Sequence, residues 1–150
     1  MSALIYITIL LSTFIVMEFT AWFLHKYVMH GFLWNLHYDH HNPPKDRAYQ
    51  LNDFFALFFA VPSFLFILFD SIYKIPTLGA IGFGIMAYGA AYFFIHEVII
   101  HRRWKIFKVK NNWYFRGVNS AHKIHHMNPK KEDGCNFGML VVPIKYFKKR

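Results

Sequence analysis

Three long blocks of apolar residues, separated by polar segments, divide the chain. They cover residues 3–24, 54–73 and 78–95. Each block is close to the ~20 residues that cross the hydrocarbon core of a bilayer as an α-helix. The pattern therefore predicts three transmembrane helices, and Lys74 and Pro76 mark a short turn between the second and the third.

The segments beyond these blocks are predicted to lie at the membrane surface. Residues 102–117 mix basic and aromatic side chains, which is typical of interfacial helices. Residues 137–147 are apolar but too few to cross the bilayer. At 150 residues the chain has the length of one domain. We predict an all-α, integral membrane helical bundle of about three spans plus interfacial helices, which forms a single domain over residues 1–150.

The composition favours lipid over water as the surroundings of this fold. Hydrophobic residues make up 55% of the chain and aromatic residues 21%, which is more apolar surface than a soluble domain of this size can bury. Cys135 is the only cysteine, and this excludes an intrachain disulfide and a cysteine-rich metal site.

The basic residues predict the orientation of the bundle. The net charge is +9, and 13 of the 17 Lys and Arg residues follow His101. Because basic segments stay on the cytoplasmic side, we expect the C-terminal part and the loop between the first two spans to be cytoplasmic. Topology and anionic membrane lipid account for this charge, so we expect no nucleic-acid partner.

All ten histidines fall into two sets that share one spacing, H-x4-H followed by H-x2-H-H. Two spans separate the sets, so both sets emerge on the same side of the membrane and are predicted to form one joint site. Histidines that serve packing or solubility would have no reason to repeat a spacing. The first set is His25, His30, His37, His40 and His41, and the second is His96, His101, His122, His125 and His126.

The two spacings place imidazole rings differently on a helix. In H-x2-H-H the three rings lie on one face of an α-helix and converge. In H-x4-H the two positions are about 140° apart on an α-helix, so the rings would not share a face. We therefore expect each H-x4-H pair to straddle a helix end or a bend, and Gly31 is a candidate for one bend.

Ten imidazoles on one membrane face predict a metal site. Imidazole suits iron, zinc, copper and nickel. A structural zinc is closed by about four ligands, and the segment from His96 to His101 is one residue too long for the H-E-x-x-H motif of zinc proteases. Two metal ions with about five imidazoles each fit the count. Two irons with nitrogen donors would leave room for dioxygen and redox cycling, which indicates oxidative attack on an unactivated C–H bond.

Three carboxylates are candidates to orient imidazole N–H groups from outside the metal site, namely Glu18, Asp39 and Glu97. Glu18 lies within the first apolar block, nearly in line with His25 on a helix, and a carboxylate at that depth is costly without a partner. Each of the three is equally well explained as a charge at the membrane interface. The residues indicate no catalytic group beyond the metal ligands.

Three stretches carry a family resemblance: AWFLHKYVMHGFLWNLHYDHH (residues 21–41), FIHEVIIHRRW (residues 94–104) and AHKIHH (residues 121–126). They resemble the membrane di-iron hydroxylases and desaturases of the fatty acid hydroxylase superfamily and, more narrowly, the bacterial β-carotene hydroxylases. The resemblance implies a monooxygenase of carotenoid biosynthesis in the cytoplasmic membrane of a bacterium, with all ten histidines as ligands of two Fe. It also implies O2 as co-substrate, a ferredoxin or similar electron donor, and hydroxylation of β-carotene at the 3-position of the β-ionone rings through β-cryptoxanthin to zeaxanthin.

Two alternatives stay open on the sequence. One is a hydroxylase or desaturase of another apolar lipid, either a fatty acyl chain or a sterol. The other is a membrane metal transporter, which would place ionisable ligands near the bilayer midplane. Residues 54–95 contain no histidine, and this disfavours the transporter.

Overall fold

The computed structural model describes residues 1–44, 46, 49–105, 112–128, 130–132 and 134–148. These residues form helices and connecting segments without any strand, so the all-α prediction is confirmed. Two α-helices continue directly into π-helices. One short 3-10 helix leads into α3, and another lies near the C-terminus. The helices are α1 (Ala3–Phe23) with the π-helix Leu24–Phe32, α2 (Trp34–His41), the 3-10 helix Leu51–Ala56, α3 (Leu57–Tyr73), α4 (Pro76–Phe93) with the π-helix Phe94–Ile100, α5 (Trp113–His126) and the 3-10 helix Ile144–Phe147.

Three of these helical stretches are long and apolar enough to cross a membrane: Ala3–Phe32, Leu51–Tyr73 and Pro76–Ile100. Both π-helices extend a span beyond the apolar block that the sequence shows. The helical backbone therefore continues through His25, His30 and His96. The rings of these histidines are buried at the end of the bundle and are not exposed in a loop.

Helix α4 is central in the bundle and packs against both α1 and α3. A Cβ atom on Gly84 would lie 2.7 Å from the Leu10 carbonyl oxygen of α1, and one on Gly82 would lie 2.9 Å from the Ser63 carbonyl oxygen of α3. The Ser63 hydroxyl also donates a hydrogen bond of 2.8 Å to the Gly82 carbonyl. These glycines allow close helix approach in lipid.

The C-terminal part of the chain folds back onto the ends of the spans. Asn112 caps α5 by accepting the backbone N–H of Tyr114 at 2.8 Å. Helix α5 packs on the π-helix that ends α4, around Ile99, Val118 and Ala121. Of the predicted interfacial segment, residues 106–111 lie outside the described residues. The apolar stretch 137–147 is irregular, with a bend at residues 139–140, and then 3-10 helical, and it does not span.

We predict that Gly84→Ala destabilises the bundle, because the added methyl group collides with the α1 backbone. Overpacking of this kind costs about 1–3 kcal/mol. Gly89→Ala is the matched control, since a Cβ atom there meets nothing within 4 Å and alanine favours helix by up to about 1 kcal/mol. Thermal unfolding in detergent measures both, and equal midpoints for the two variants would contradict the packing role of Gly84.

Candidate metal centre

The two histidine sets meet at one end of the bundle, where α1 and α4 end and α2 and α5 lie across them. Their rings form two clusters of buried and half-buried histidines, and within each cluster one nitrogen from every ring lies within 4.8 Å of the others. Each cluster takes three histidines from one set and one from the other. Cluster A consists of His25, His30, His37 and His125, and cluster B of His40, His101, His122 and His126.

The π-helices explain how the H-x4-H pairs converge. In a π-helix the backbone N–H bonds to the carbonyl five residues earlier, so positions i and i+5 come to the same face. The N–H of His101 donates to the His96 carbonyl at 2.9 Å in this way. The ring centroids of His96 and His101 are 4.5 Å apart, and those of His25 and His30 are 5.3 Å apart.

The expected bend is therefore only part of the explanation. Gly31 does have a non-helical backbone, with φ −105° and ψ −123°, and it redirects the chain from the first π-helix into α2. The convergence of His25 and His30, however, comes from the π-helix that precedes this bend. A spacing of five residues is compatible with both devices, and the structure uses the π-helix for each pair.

The two H-x2-H-H motifs are divided between the clusters. On α2, His37 belongs to cluster A and His40 to cluster B. The motif on α5 is also divided between the clusters, with His125 in cluster A and His122 and His126 in cluster B. Each helix therefore ties the two clusters together, and three rings on one face serve two centres.

The remaining two histidines lie beside the clusters. The His41 ring stacks on that of His126 with centroids 4.4 Å apart and lies 4.7 Å from the His125 ring, so it touches a member of each cluster. The His96 ring lies 4.8 Å from the His40 ring and 4.8 Å from the His122 ring, next to cluster B.

Every ring of cluster A has its Nδ1 atom on an oxygen acceptor. Backbone carbonyl oxygens only accept hydrogen bonds, and so does an amide oxygen, so each Nδ1 carries the single proton of its neutral ring. The pairs are His25 with the Phe137 carbonyl at 3.0 Å, His30 with the Lys131 carbonyl at 3.3 Å, His37 with Asn52 Oδ1 at 2.6 Å, and His125 with the Cys135 carbonyl at 2.7 Å.

The four Nε2 atoms of cluster A are consequently left with lone pairs. The Nε2 atoms of His30 and His125 face each other at 3.3 Å, and neither has a proton to share. The Nε2 atoms of His25 and His37 are buried without a hydrogen-bond partner among the described residues. Buried lone pairs that point at one another are unfavourable unless a cation lies between them, so this donor set fits a metal ion.

The described contacts of cluster B also place Nε2 atoms opposite one another. His40 Nδ1 bonds to Gln50 Oε1 at 3.0 Å, which turns its Nε2 towards His126 Nε2 at 3.2 Å. His101 Nε2 and His122 Nε2 are 2.9 Å apart. Separations near 3 Å are those of neighbouring imidazole ligands that bind one ion at about 2.0–2.1 Å.

Of the three predicted carboxylate partners, Glu97 bonds directly to a histidine. Its Oε1 accepts from His96 Nδ1 at 2.6 Å, and its Oε2 accepts from Arg103 at 3.0 Å. Arg103 in turn donates to Asp53 at 2.7 Å and 2.9 Å. The imidazole of His96 is thus the first member of an ion-pair network that joins the end of the third span to the start of the second.

Asp39 and Glu18 act through the backbone. Asp39 accepts the N–H groups of Leu51 at 2.6 Å and Asn52 at 3.3 Å, and this fixes the segment that presents Asn52 to His37. Glu18 accepts backbone N–H groups of residues 139–141 instead of an imidazole N–H, so the expectation of a direct Glu18–histidine bond is corrected.

Sequence reasoning missed most of the groups that orient the rings. Gln50 and Asn52 supply side-chain acceptors to His40 and His37, and Gln50 is the residue that precedes the 3-10 helix. The other acceptors are backbone carbonyls of residues 131, 135 and 137. Carbonyls occur at every residue, so no sequence signal could have identified them.

Comparison with known proteins places the chain in a family. A family model described as fatty acid hydroxylase matches residues 10–146. The chain belongs to the fatty acid hydroxylase family. The prediction that it is an enzyme is thereby confirmed, and three spans in a chain of this family identify an integral membrane protein. The family and the two imidazole clusters together indicate an iron-dependent hydroxylase.

The chain is similar to curated proteins named β-carotene hydroxylase or β-carotene 3-hydroxylase. The β-carotene hydroxylase of Pantoea ananas is 39% identical over 135 residues, which cover 90% of this chain and 76% of that protein. The β-carotene hydroxylase of Paracoccus sp. (strain PC1) is 34% identical and covers 90% of this chain and 83% of its own length. The chloroplastic β-carotene hydroxylase 1 of Capsicum annuum is 38% identical over 85% of this chain but only 40% of its own length. No solved structure matches the chain significantly.

An apolar cavity of about 730 Å³ lies beside the histidines of this family member. It is lined by residues of α1, of the 3-10 helix Leu51–Ala56, and of α3 and α4, among them Phe55, Phe59 and Ile85. Asn52 and Glu97 also line it, and these two residues hold His37 and His96. The cavity therefore reaches the groups that orient one ring of cluster A and one ring beside cluster B.

Burial keeps the imidazoles neutral. Loss of solvent, together with the charge of neighbouring rings, lowers the pKa of His37, His41 and His101 to about 2. The same causes lower the pKa of His126 to about 4. Neutral rings are the form that binds metal, so the site is ready for ions without first releasing protons.

We predict that acid destabilises the metal-free protein. The unfolded chain takes up protons at these histidines as the pH falls below about 6.5, whereas the folded chain does not until far lower pH. The free energy of unfolding is therefore unaffected by these groups above about pH 6.5 and falls steadily as the pH is lowered towards 4. Thermal unfolding of chelator-treated protein between pH 8 and pH 4.5 measures this.

The control for the pH experiment removes one of the titrating groups. His101→Ala should make the decline between pH 6.5 and pH 4.5 shallower, because one fewer low-pKa histidine separates the folded from the unfolded chain. A midpoint that is constant over this range in the unmodified chain would contradict the burial of neutral rings.

Proposed function

We propose that this protein is a membrane-bound β-carotene 3-hydroxylase that hydroxylates the β-ionone rings, first to β-cryptoxanthin and then to zeaxanthin. The observation that carries the proposal is the pair of imidazole clusters together with an apolar cavity whose wall includes Asn52 and Glu97, the partners of His37 and His96. Relatives that cover most of the chain, and that are named β-carotene hydroxylases, support this substrate over others. On this proposal residues 1–150 form a single hydroxylase domain.

All ten histidines hold the metal ions in this proposal. Cluster A binds one iron and cluster B the other, and His41 and His96 complete the two coordination spheres because their rings adjoin the clusters. The inward Nε2 lone pairs of cluster A support this assignment most directly. When bound, the two irons supply the activation of dioxygen that attack on an unactivated C–H bond requires.

The overall reaction balances with an external reductant. One oxygen atom of O2 enters the C–H bond to give the alcohol, and the other leaves as water after two electrons and two protons have been delivered. In this proposal a ferredoxin or a similar electron donor supplies the electrons, as the resemblance to the family implies. Gln50, Asn52 and Glu97 keep the Nδ1 proton of their imidazole partners in place, so the rings stay oriented throughout.

The cavity matches an apolar substrate. Its lining is mostly aliphatic and aromatic along α3 and α4, and the polar residues Asn52 and Glu97 lie at its histidine end. A carotene is long and wholly apolar, so it partitions into the bilayer and can offer its terminal ring to the cavity while the polyene stays in lipid. The concentration of Lys and Arg after His101 favours a metal site on the cytoplasmic face of a bacterial membrane, where a soluble electron donor has access.

A second candidate function is hydroxylation or desaturation of another membrane lipid. The family model that matches the chain is described as fatty acid hydroxylase, and an apolar cavity also suits an acyl chain or a sterol. The clusters would serve the same chemistry on such a substrate, so only the identity of the product separates the two candidates.

We predict that a β-carotene-producing host that expresses this chain accumulates β-cryptoxanthin and zeaxanthin. Pigment chromatography identifies the products, and parallel analysis of host lipids tests the second candidate. His25→Ala and His101→Ala, one ligand from each cluster, should each abolish hydroxylation because both ions are needed. Purified, iron-loaded protein that yields no hydroxylated carotenoid would refute the substrate assignment.

We also predict that Gly89→Phe lowers carotene hydroxylation at least tenfold without changing the iron content, because the ring would occupy the cavity. Gly89 lines the cavity, and a Cβ atom there meets nothing within 4 Å. Loss of the fit of a bound apolar group costs enough free energy for a change of about tenfold or more. Pigment yield per bound iron is the measurement.

Ala87→Phe is the matched control for this experiment. Ala87 lies on the same helix, is exposed at the bundle surface and is not part of the cavity lining. It should retain hydroxylation. Equal activity of the Gly89 and Ala87 variants would show that the cavity does not receive the substrate.

A further inference from the structure

We propose that Glu18 is a positioning residue for cluster A: its carboxylate anchors the 134–143 segment, and this segment holds the carbonyl oxygens that keep His25 and His125 in the metal-binding tautomer. The inference rests on the proposed metal-binding function of the clusters. In this inference the Glu18 carboxylate affects the geometry of cluster A and leaves that of cluster B unchanged.

The carboxylate of Glu18 makes a dense set of hydrogen bonds. Oε1 accepts the backbone N–H groups of Met139 at 3.0 Å, Leu140 at 3.1 Å and Val141 at 2.9 Å. Oε2 accepts the Leu140 N–H at 3.1 Å and the hydroxyl of Tyr88 at 2.8 Å. Three consecutive N–H groups, 121 to 123 positions along the chain, and one tyrosine hydroxyl, 70 positions along the chain, thus converge on one side chain.

Both the Glu18 carboxylate and the backbone N–H groups of the 134–143 segment would lack hydrogen-bond partners without this interaction. Glu18 lies in the middle of the first span, where a carboxylate without partners is costly. The 134–143 segment forms no helix or strand before Ile144, so its N–H groups have no regular backbone partners, and an unmet N–H beside lipid is also costly. Tyr88 of α4 is fully buried and joins the third span to the same point.

The anchor is close in sequence to the acceptors of cluster A. Phe137, whose carbonyl accepts from His25 Nδ1 at 3.0 Å, is two residues before Met139. Cys135, whose carbonyl accepts from His125 Nδ1 at 2.7 Å, is two residues earlier still. A shift of residues 139–141 away from α1 would therefore move these carbonyls and release the Nδ1 protons.

Gly138 shows that the turn between anchor and acceptors is tight. A Cβ atom on Gly138 would collide with the Val141 carbonyl oxygen and would lie 3.5 Å from Glu18 Oε1. The backbone here closes on itself directly beside the carboxylate. Gly138 therefore offers an independent way to disturb the anchor while Glu18 is left unchanged.

The described partners of cluster B come from another part of the chain. His40 Nδ1 bonds to Gln50, which precedes the second span, and His96 beside the cluster bonds to Glu97. Neither acceptor lies in the 134–143 segment. Loss of the Glu18 anchor should accordingly weaken metal binding in cluster A and leave cluster B intact.

The test is a Co²⁺ titration of the full-length, metal-free protein in detergent, followed by the visible absorption of the bound ion. The unmodified chain should show two binding events. Glu18→Gln keeps the size of the side chain but places an NH2 group against an N–H donor, and it should weaken one event about 10- to 100-fold, the effect typical of lost groups that orient ligands. Gly138→Ala should weaken the same event.

Ligand variants identify which event is affected. His25→Ala removes the cluster A event and His101→Ala the cluster B event. Glu18→Gln should therefore still weaken binding when combined with His101→Ala and should have no further effect when combined with His25→Ala. Asp70→Asn is the matched control, because it changes another carboxylate of a span to an amide near the α3–α4 turn, at the opposite end of the bundle.

The outcomes separate this inference from the proposed function. Glu18→Gln that leaves both events unchanged, or that weakens both alike, overturns the positioning role, even if the unmodified chain binds two ions and hydroxylates carotene. An unmodified chain that binds no Co²⁺ overturns the proposed metal centre and this inference with it. Selective loss of the cluster A event, with Asp70→Asn unchanged, is the result we expect.

Discussion

The placement of a single proton on each imidazole ring determines the rest of this structure. Rings packed with centroids 4.4–6.4 Å apart are buried and must be neutral, so each has one N–H and one lone pair. If the N–H groups pointed inward, the histidines could hydrogen bond to one another and no ion would be needed. In cluster A all four N–H groups point outward to oxygen acceptors. The interior is then composed of lone pairs, and it is favourable only around a cation.

This constraint explains why so much of the chain is arranged around the histidines without touching the centre of the site. Asp39 fixes the backbone at Leu51 and Asn52, so that Asn52 meets His37. The 134–143 segment reaches back to the first span so that two of its carbonyls meet cluster A. The membrane makes these arrangements stricter, because water cannot replace an acceptor that moves away.

The sequence predicts the three spans, the all-α fold and the convergence of the two histidine sets. Those predictions depend on the length of the apolar blocks and on the repeated histidine spacing, and both can be read directly from the order of residue types in the sequence. The π-helices are less accessible, because a separation of five residues indicates only that a straight α-helix is wrong. The division of His37 and His40 between clusters is also hidden, because it depends on how α2 is rotated against α5.

The acceptors of the imidazole protons are the least predictable part of the site. Glu97 was predictable, since it is a charged residue next to His96 and bonds to it. Glu18 was singled out because it lies within the first apolar block, but most of its partners are backbone N–H groups far along the chain. Backbone donors and carbonyls have the same chemistry at every position, so only the tertiary fold decides which of them matter.

The glycines of α4 connect this site to the cavity. Gly82 and Gly84 bring α3 and α1 against α4 in the half of the bundle remote from the histidines. Gly89, one to two turns nearer the histidines, contacts neither helix closely and lines the cavity instead. The bundle is therefore tight at one end and open at the other. Because Asn52 and Glu97 belong both to the cavity wall and to the hydrogen bonds of His37 and His96, a molecule that fills the open end lies against the residues that set the ring orientations. On the proposed function, substrate shape and metal geometry would thus be linked through the same two side chains.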